Sequence, residues 1–234
     1  QIFVHGYDLS GDVAAIDNAG SPRNLLDLTA INSSGTERLV GLSDGNLAVS
    51  SWFNDATEQE HAAFSGLVTT DRILTWAFGA TRGDVAACLV AKQLNYDGTR
   101  GTDGSLSFSV DSQADGISLD WCNTLTTGKE THSSAGSSTS RDDGAGTTAG
   151  MVGYLEITDL DSGTATVTIQ ESSDNGSSDA WVNVLVFSTV AAAAAPTAER
   201  VTSSGTVERY LRITTTGTFS NLDFCVSTRR GTSQ

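Results

Sequence analysis

Apolar and polar residues alternate with a period of two along much of this chain, the spacing of strands with one wet face and one buried face. After a Ser43-Asp44-Gly45 turn the alternation runs to Phe53. It resumes over residues 73–78 and 86–94, at Leu106, Phe108 and Val110, and again at Ile117, Leu119 and Trp121. Between the first two runs the period changes. Ala56, Gln59, Ala62, Ala63, Phe64 and Leu67 form one apolar stripe, which predicts a short helix capped by Asn54 or Asp55, with Glu58 at the capping-box position. Residues 96–104 hold two Asp-Gly pairs and little apolar content, which predicts the tip of a long hairpin.

The second half alternates more regularly. Met151, Gly153, Leu155 and Ile157 predict a strand that ends in an Asp159-Leu160-Asp161-Ser162-Gly163 turn. Residues 165–170, 181–187, 209–215 and 222–227 predict further short strands, with an Asn175-Gly176 turn before the second of them. Residues 191–195 predict a helical turn stopped by Pro196. Arg229, Arg230 and the Ser233-Gln234 end read as a short exposed tail.

Two stretches carry weaker patterns. Residues 3–11 look like an extended N-terminal arm, which either orders against a neighbouring subunit or lies as a loosely packed edge strand. Short apolar patches at 14–17 and 24–28 follow, around a Gly20-Ser21-Pro22 break. Residues 132–150 lack any large apolar side chain and cannot bury enough surface to offset their ordering entropy. The expected organisation is therefore mainly β: a β domain over 1–131, a Ser/Gly-rich linker or loop over 132–150, and a small antiparallel β-sandwich over 151–234.

Composition narrows the chemistry. With 28 acidic against 13 basic residues the net charge is −15, which keeps a concentrated protein soluble and disfavours phosphate-backbone recognition by Lys and Arg. No apolar run approaches the roughly 20 residues needed to cross a bilayer as a helix. The three cysteines, Cys88, Cys122 and Cys225, make no CxxC and no metal spacing, and read as small buried side chains in a reducing compartment. His5, His61 and His132 lie in no motif, and there is no nucleophile elbow, zinc signature or phosphate loop. The 159–163 segment begins like a calcium loop but lacks the later acidic ligand, and Asp174, Asn175 and Asp179 are explained as turn residues. The sequence therefore predicts no enzyme, no cofactor and no metal site. Trp52, Trp76, Trp121 and Trp181 sit in strand patterns, where packing or interface contact explains them better than a sugar platform.

Several stretches carry a family resemblance: Gly41-Leu42-Ser43-Asp44-Gly45, Trp52-Phe53-Asn54, Thr69-Thr70-Asp71-Arg72-Ile73, Ala91-Lys92-Gln93-Leu94-Asn95-Tyr96-Asp97 and Arg100-Gly101-Thr102-Asp103-Gly104-Ser105-Leu106. Together with Gln170-Glu171-Ser172-Ser173-Asp174-Asn175 and Arg209-Tyr210-Leu211-Arg212-Ile213, the chain resembles the major tail (tail tube) proteins of long-tailed bacteriophages of actinobacteria. The likeness spans most of the chain and contains no invariant chemical signature. It implies a tail-tube-like β-sandwich with one flanking short helix and a long hairpin, self-assembling into stacked rings around a DNA conduit.

The partners implied are further copies of the chain, neighbouring tail and tail-tip or terminator proteins, and DNA as passing cargo only. The implied location is the virion tail, after assembly in the host bacterial cytoplasm. Phe3, Val4 and Tyr7 in the arm and Asp97, Arg100 and Asp103 at the hairpin tip become the candidate subunit-interface residues. A second reading, a virion decoration or receptor- and glycan-binding tail protein, would use the C-terminal sandwich instead.

Overall fold

A computed structural model describes residues 1–231, and it is almost entirely antiparallel β. The first half runs β1 (Ile2–Val4), β2 (Tyr7–Asp8), β3 (Val13–Gly20), β4 (Arg23–Asp27), β5 (Arg38–Ser43) and β6 (Asn46–Trp52), then α1 (Glu60–Phe64). It continues through β7 (Arg72–Ala77), β8 (Val85–Gln93), β9 (Asp97–Arg100), β10 (Leu106–Ala114) and β11 (Asp120–Thr124). The second half holds the short β12 (Glu130–His132), β13 (Gly136–Ser137) and β14 (Arg141–Asp142), the long β15 (Met151–Ser172), then β16 (Val182–Val186), β17 (Val190–Ala191), β18 (Thr197–Ser203) and the long β19 (Tyr210–Arg230).

Alternation in β7 and β8 sorts their side chains between two cores. Leu74, Ala87, Leu89 and Ala91 face one way and pack with Leu47 and Val49 of β6, Val110 of β10 and Phe64 of α1. Ile73, Ala77, Ala86 and Cys88 face the other way and meet Cys122 of β11 with Val152 and Tyr154 of β15. A strand pair buried on both faces needs apolar residues at nearly every position, which Val85-Ala86-Ala87-Cys88-Leu89-Val90-Ala91 supplies. The first residues pair with β7, so Phe3 and Val4 are taken up by the chain's own core while Tyr7 stays half-buried.

The second half is organised by one ribbon. β15 and β19 pair from Met151↔Arg230 to Ser172↔Tyr210, straight through the predicted 159–163 turn and through the gap between the two strands expected at 209–215 and 222–227. The turn prediction fails because those polar residues form a bend in the ribbon. Asp161 accepts a hydrogen bond from Asn221 across the pair at 2.6 Å, and the register shifts by one between Ile157 and Asp159. A Cβ placed on Gly153 would meet Ile169 at 3.2 Å, although sixteen residues of one straight strand would span roughly 50 Å. The ribbon therefore doubles back on itself.

Gly163 (φ +83°) and Gly217 (φ +116°) mark the fold line, where a side chain would collide with the facing carbonyls of Thr218 and Thr164. Its two arms become the two layers of a sandwich filled by Leu155, Ile157, Val167, Ile169, Leu185, Phe187, Ile213 and Phe224. β18 extends one arm and β16 the other.

Several smaller expectations need correction. The helix is only Glu60–Phe64, starts at Gln59 and has no side-chain cap; Glu58 sits at φ +61° rather than in a capping box. Asn54 instead opens a turn, its Oδ1 accepting from the Ala56 amide at 3.2 Å. Residues 192–194 form a 3₁₀ turn rather than an α-helical one. Arg229 and Arg230 are the last residues of β19, not a tail, and Ser233 and Gln234 lie outside the described residues. Within 132–150, His132 ends β12, and β13 and β14 follow; all three strands pair with β19, and Arg141 hydrogen-bonds the Asn123 and Thr124 carbonyls of the first half.

Candidate assembly surface

Between the Gly20 end of β3 and the start of β6 the chain leaves the body. β4 and β5 pair only with each other, as a two-stranded sheet outside the main network. The hairpin closes at its base, where the Asp44 amide donates to the Pro22 carbonyl at 2.9 Å. At its far end Asp27 accepts from the Thr29 amide, Thr29 accepts from the Glu37 amide and Leu28 donates to the Glu37 carbonyl. Bonds from the hydroxyl and the amide of Thr29 hold the carboxyl of Asp27 below its ordinary range. The element is an ordered projection.

Its surface is unusual for one in water. Of the sixteen exposed large apolar side chains among the described residues, seven lie here: Leu25, Leu26, Leu28, Ile31, Leu39, Val40 and Leu42. Leu25 pairs with Val40 and Leu26 with Leu39, so the two pairs stand on opposite faces of the hairpin. All four are between 50% and 55% exposed, so neither face is covered. A lone two-stranded hairpin is marginal in water, and contiguous exposed apolar surface marks an interaction site. The element is also locally neutral, with Arg23 and Arg38 against Asp27 and Glu37, on a chain of net charge −15.

The body displays two further apolar patches. At one end Trp121, Phe78 and Val85 are each about half exposed, with the Phe78 and Trp121 rings edge to face at 5.9 Å. Trp52 and Phe53 are exposed at the end of β6, where Phe53 packs on His61 and Phe108. An open cleft of about 610 Å³ lies between the hairpin base and residues 114–118.

The residues predicted from sequence fall in two places. Asp97, Arg100 and Asp103 are exposed on the β9–β10 hairpin. Asp103 accepts from the amide and hydroxyl of Ser105, which lowers its pKa, and Asp97 accepts from Asn95 at 2.8 Å. This second hairpin is braced from below by Tyr96, stacked on Phe108 at 4.1 Å and donating to the buried Glu60 at 2.9 Å. Phe3 and Val4 have no exposed side chain in the single chain. The β4–β5 hairpin does not stand out in the sequence because residues 24–28 read there only as a short apolar patch. Only its lack of a third strand sets it apart, and sequence pattern does not carry that.

One buried polar cluster lies between the layers and a half-buried one lies against β19. Glu156 is fully buried, accepting from the Gly6 amide at 2.7 Å and the Thr75 hydroxyl at 3.0 Å, and burial raises its pKa to about 8. His132, isolated in the sequence, is surrounded in the fold. Its Nδ1 lies 2.8 Å from the Thr215 hydroxyl, and Nε2 lies 3.1 Å from Ser138 and 3.4 Å from Glu130. Ser138 donates directly to Glu130, and the cluster braces residues 130–138 against β19. For Glu130, burial would raise the pKa, but bonds from His132, Ser138 and Thr127 and the charge of Arg82 outweigh it and hold it at about 2. The three cysteines are buried and unbridged.

No protein-family model matches the sequence, and no curated protein matches it. Among solved structures, similarity is found to the tail of an empty GTA particle with C6 symmetry (15% identity over 51% of this chain and 94% of that one, TM-score 0.39). The Dit protein of phage SPP1, a hub of the adsorption apparatus in phages infecting Gram-positive bacteria, matches at 10% identity over 97% of both chains, TM-score 0.34. The phage p2 baseplate in its activated conformation matches at 11% identity over 99% of this chain and 98% of that one, TM-score 0.34.

Proposed function

We propose that this chain is a structural virion protein, the major tail tube subunit of a long-tailed phage, which self-assembles into stacked rings. The observation that carries the reading is the β4–β5 hairpin: ordered, charge-neutral and apolar, projecting from a body that repels its own copies. A hairpin of that kind is an unfinished contact, and joining distinct patches head to tail generates rings or filaments. The sequence resemblance to tail tube proteins supplies the biological setting. The acidic surface suits a conduit, since Ser109 and Asp111 on the exposed side of β10 offer a phosphate backbone no cation to bind. On this reading neighbouring tail proteins are partners and DNA is cargo, and the β9–β10 tip with Asp97, Arg100 and Asp103 is a second point of contact between copies.

The test is negative-stain electron microscopy of concentrated protein beside its mass in solution. Stacked rings or tubes are expected. Single rings that never stack would favour a hub. A monomer at every concentration, with or without a tail-tip template, would overturn self-assembly and leave the decoration or receptor-binding reading.

A further inference from the structure

Beside the start of β4 the charge balance of the chain reverses. A cleft of about 260 Å³ lies there between Arg23 and Arg229, with Ser21, Ser43, Ser118 and Trp121 along its walls. It shares Arg23, Ser43 and Ser118 with the larger cleft described above. Asp120 also lines it, but its oxygens are already engaged. Oδ1 accepts from Arg229 at 2.5 Å, Oδ2 accepts from the Tyr154 hydroxyl at 2.7 Å, and Arg200 lies 3.9 Å from Oδ2. With Asp44 at the outer rim, the guanidiniums of Arg23, Arg200 and Arg229 meet the carboxylates of Asp44 and Asp120, on a chain where acids outnumber bases 28 to 13. The hydroxyls add donors. Ser21 accepts from the Leu119 amide at 2.9 Å, which leaves its own proton to donate. The 2.9 Å bond between Ser43 and Ser118 uses only one of their two protons. Positive charge and donors together call for a ligand rich in acceptors.

Trp121 adds a flat apolar wall. It lies opposite Ala87, which lies opposite Trp76, so the two indoles share one side of the sheet. Phe78 packs on both, 4.3 Å from Trp76 and edge to face with Trp121 at 5.9 Å. Trp121 is thus propped from one side while half of it stays in water. We propose that this cleft binds an acidic saccharide, a sugar ring bearing a carboxylate or a phosphate. The ring's C–H face packs on the negative face of the Trp121 indole. Arg23 and Arg229 hold the acidic group, and Ser21 with the Ser43–Ser118 pair donates to the ring oxygens. Trp121 is the one aromatic side chain on the wall of the cleft, which gives a single sugar ring a stacking face and gives a base no second one. The site lies within one copy of the chain and does not depend on self-assembly.

The experiment titrates the full chain by ligand-observed nuclear magnetic resonance with galacturonate, galactose 6-phosphate, galactose, inorganic phosphate, adenosine monophosphate and trigalacturonate. Galacturonate and galactose 6-phosphate are expected to bind, with galactose and inorganic phosphate each weaker by about tenfold or more. Trp121→Ala and Arg23→Gln are each expected to weaken the two acidic sugars by about tenfold, and Trp121→Phe to restore most of the loss. Arg23 is exposed on the hairpin outside the main sheet, so its replacement leaves the body folded, which circular dichroism checks. Trigalacturonate binding more tightly than galacturonate would make the ligand a polymer, and equal binding a single acidic sugar; either supports the site. Inorganic phosphate that binds as well as the sugars and ignores Trp121→Ala would reduce the cleft to an anion site and overturn the proposal. Tighter binding of adenosine monophosphate would overturn it in favour of a nucleotide. So would the absence of binding by every compound, or binding that both Trp121→Ala and Arg23→Gln leave unchanged. Sedimentation run alongside reports self-assembly separately, so the two readings stand or fall apart.

Discussion

The β4–β5 hairpin and the β15–β19 ribbon are both pairs of antiparallel strands, and they meet opposite fates. The ribbon pairs along about twenty positions, folds at Gly163 and Gly217, and uses its own two arms to bury Leu155, Ile169 and Phe224. The hairpin pairs at four positions and buries nothing, and its adjacent apolar residues, Leu25-Leu26 and Leu39-Val40, put one side chain of each on either face. Strand patterning states which faces want cover; it does not state who provides it. In the ribbon the cover lies further along the same chain, and in the hairpin it does not.

That contrast makes a ranked set of expectations for chemical denaturation of the body. Phe187→Ala removes a buried ring from between the ribbon's arms and is expected to lower stability by about 3–5 kcal/mol. Next comes Glu156. Its folded pKa of about 8 lies above the ordinary carboxylate value, so the folded state holds a proton that the unfolded state has lost. Wild-type stability should therefore fall as pH rises from about 4.5 to about 8 and level off above. Glu156→Gln keeps an oxygen to accept from the Gly6 amide and turns its amide N–H to the Thr75 hydroxyl, which then accepts instead of donating; it should flatten that fall and raise stability at pH 9 by a few kcal/mol.

Glu130 has the opposite sign. Its pKa is held at about 2, so its stabilisation is present above about pH 4.5 and lost as pH falls towards 2. With screening allowed for, Glu130→Gln should cost about 1–2 kcal/mol at pH 7 and less at pH 3. The smallest effect belongs to the hairpin. Replacing residues 23–43 by a two-glycine link should change body stability by less than about 1 kcal/mol, because Pro22 and Asp44 already meet at its base. A large loss there would erase the distinction between a self-covered and an uncovered strand pair.

Much of the fold is legible from the residues. The two-faced burial of β8 follows from its unbroken apolar run, and the left-handed Asn175 and Gly176 sit where the Asn-Gly pair predicts a turn. The ribbon was hidden because Asp159 to Gly163 has the composition of a turn, and a bend in a continuous pair uses the same residues as a reversal. The His132 cluster was hidden because its members, Glu130, Ser138 and Thr215, converge only when β12 lies on β19. The hairpin was hidden for a different reason. Exposure depends on which strand comes next to it in space, and that depends on long-range pairing.

The ribbon also bears on how the molecule would carry force. Hydrogen bonds in an antiparallel ladder lie across the strands, so tension along β15 and β19 in opposite senses strains many of them at once. Tension that spreads the two strands apart would open them singly, from one end. The first geometry resists and the second tears. A ladder of about twenty pairs, folded at Gly163 and Gly217, therefore resists sliding of its two strands far better than it resists their being peeled apart.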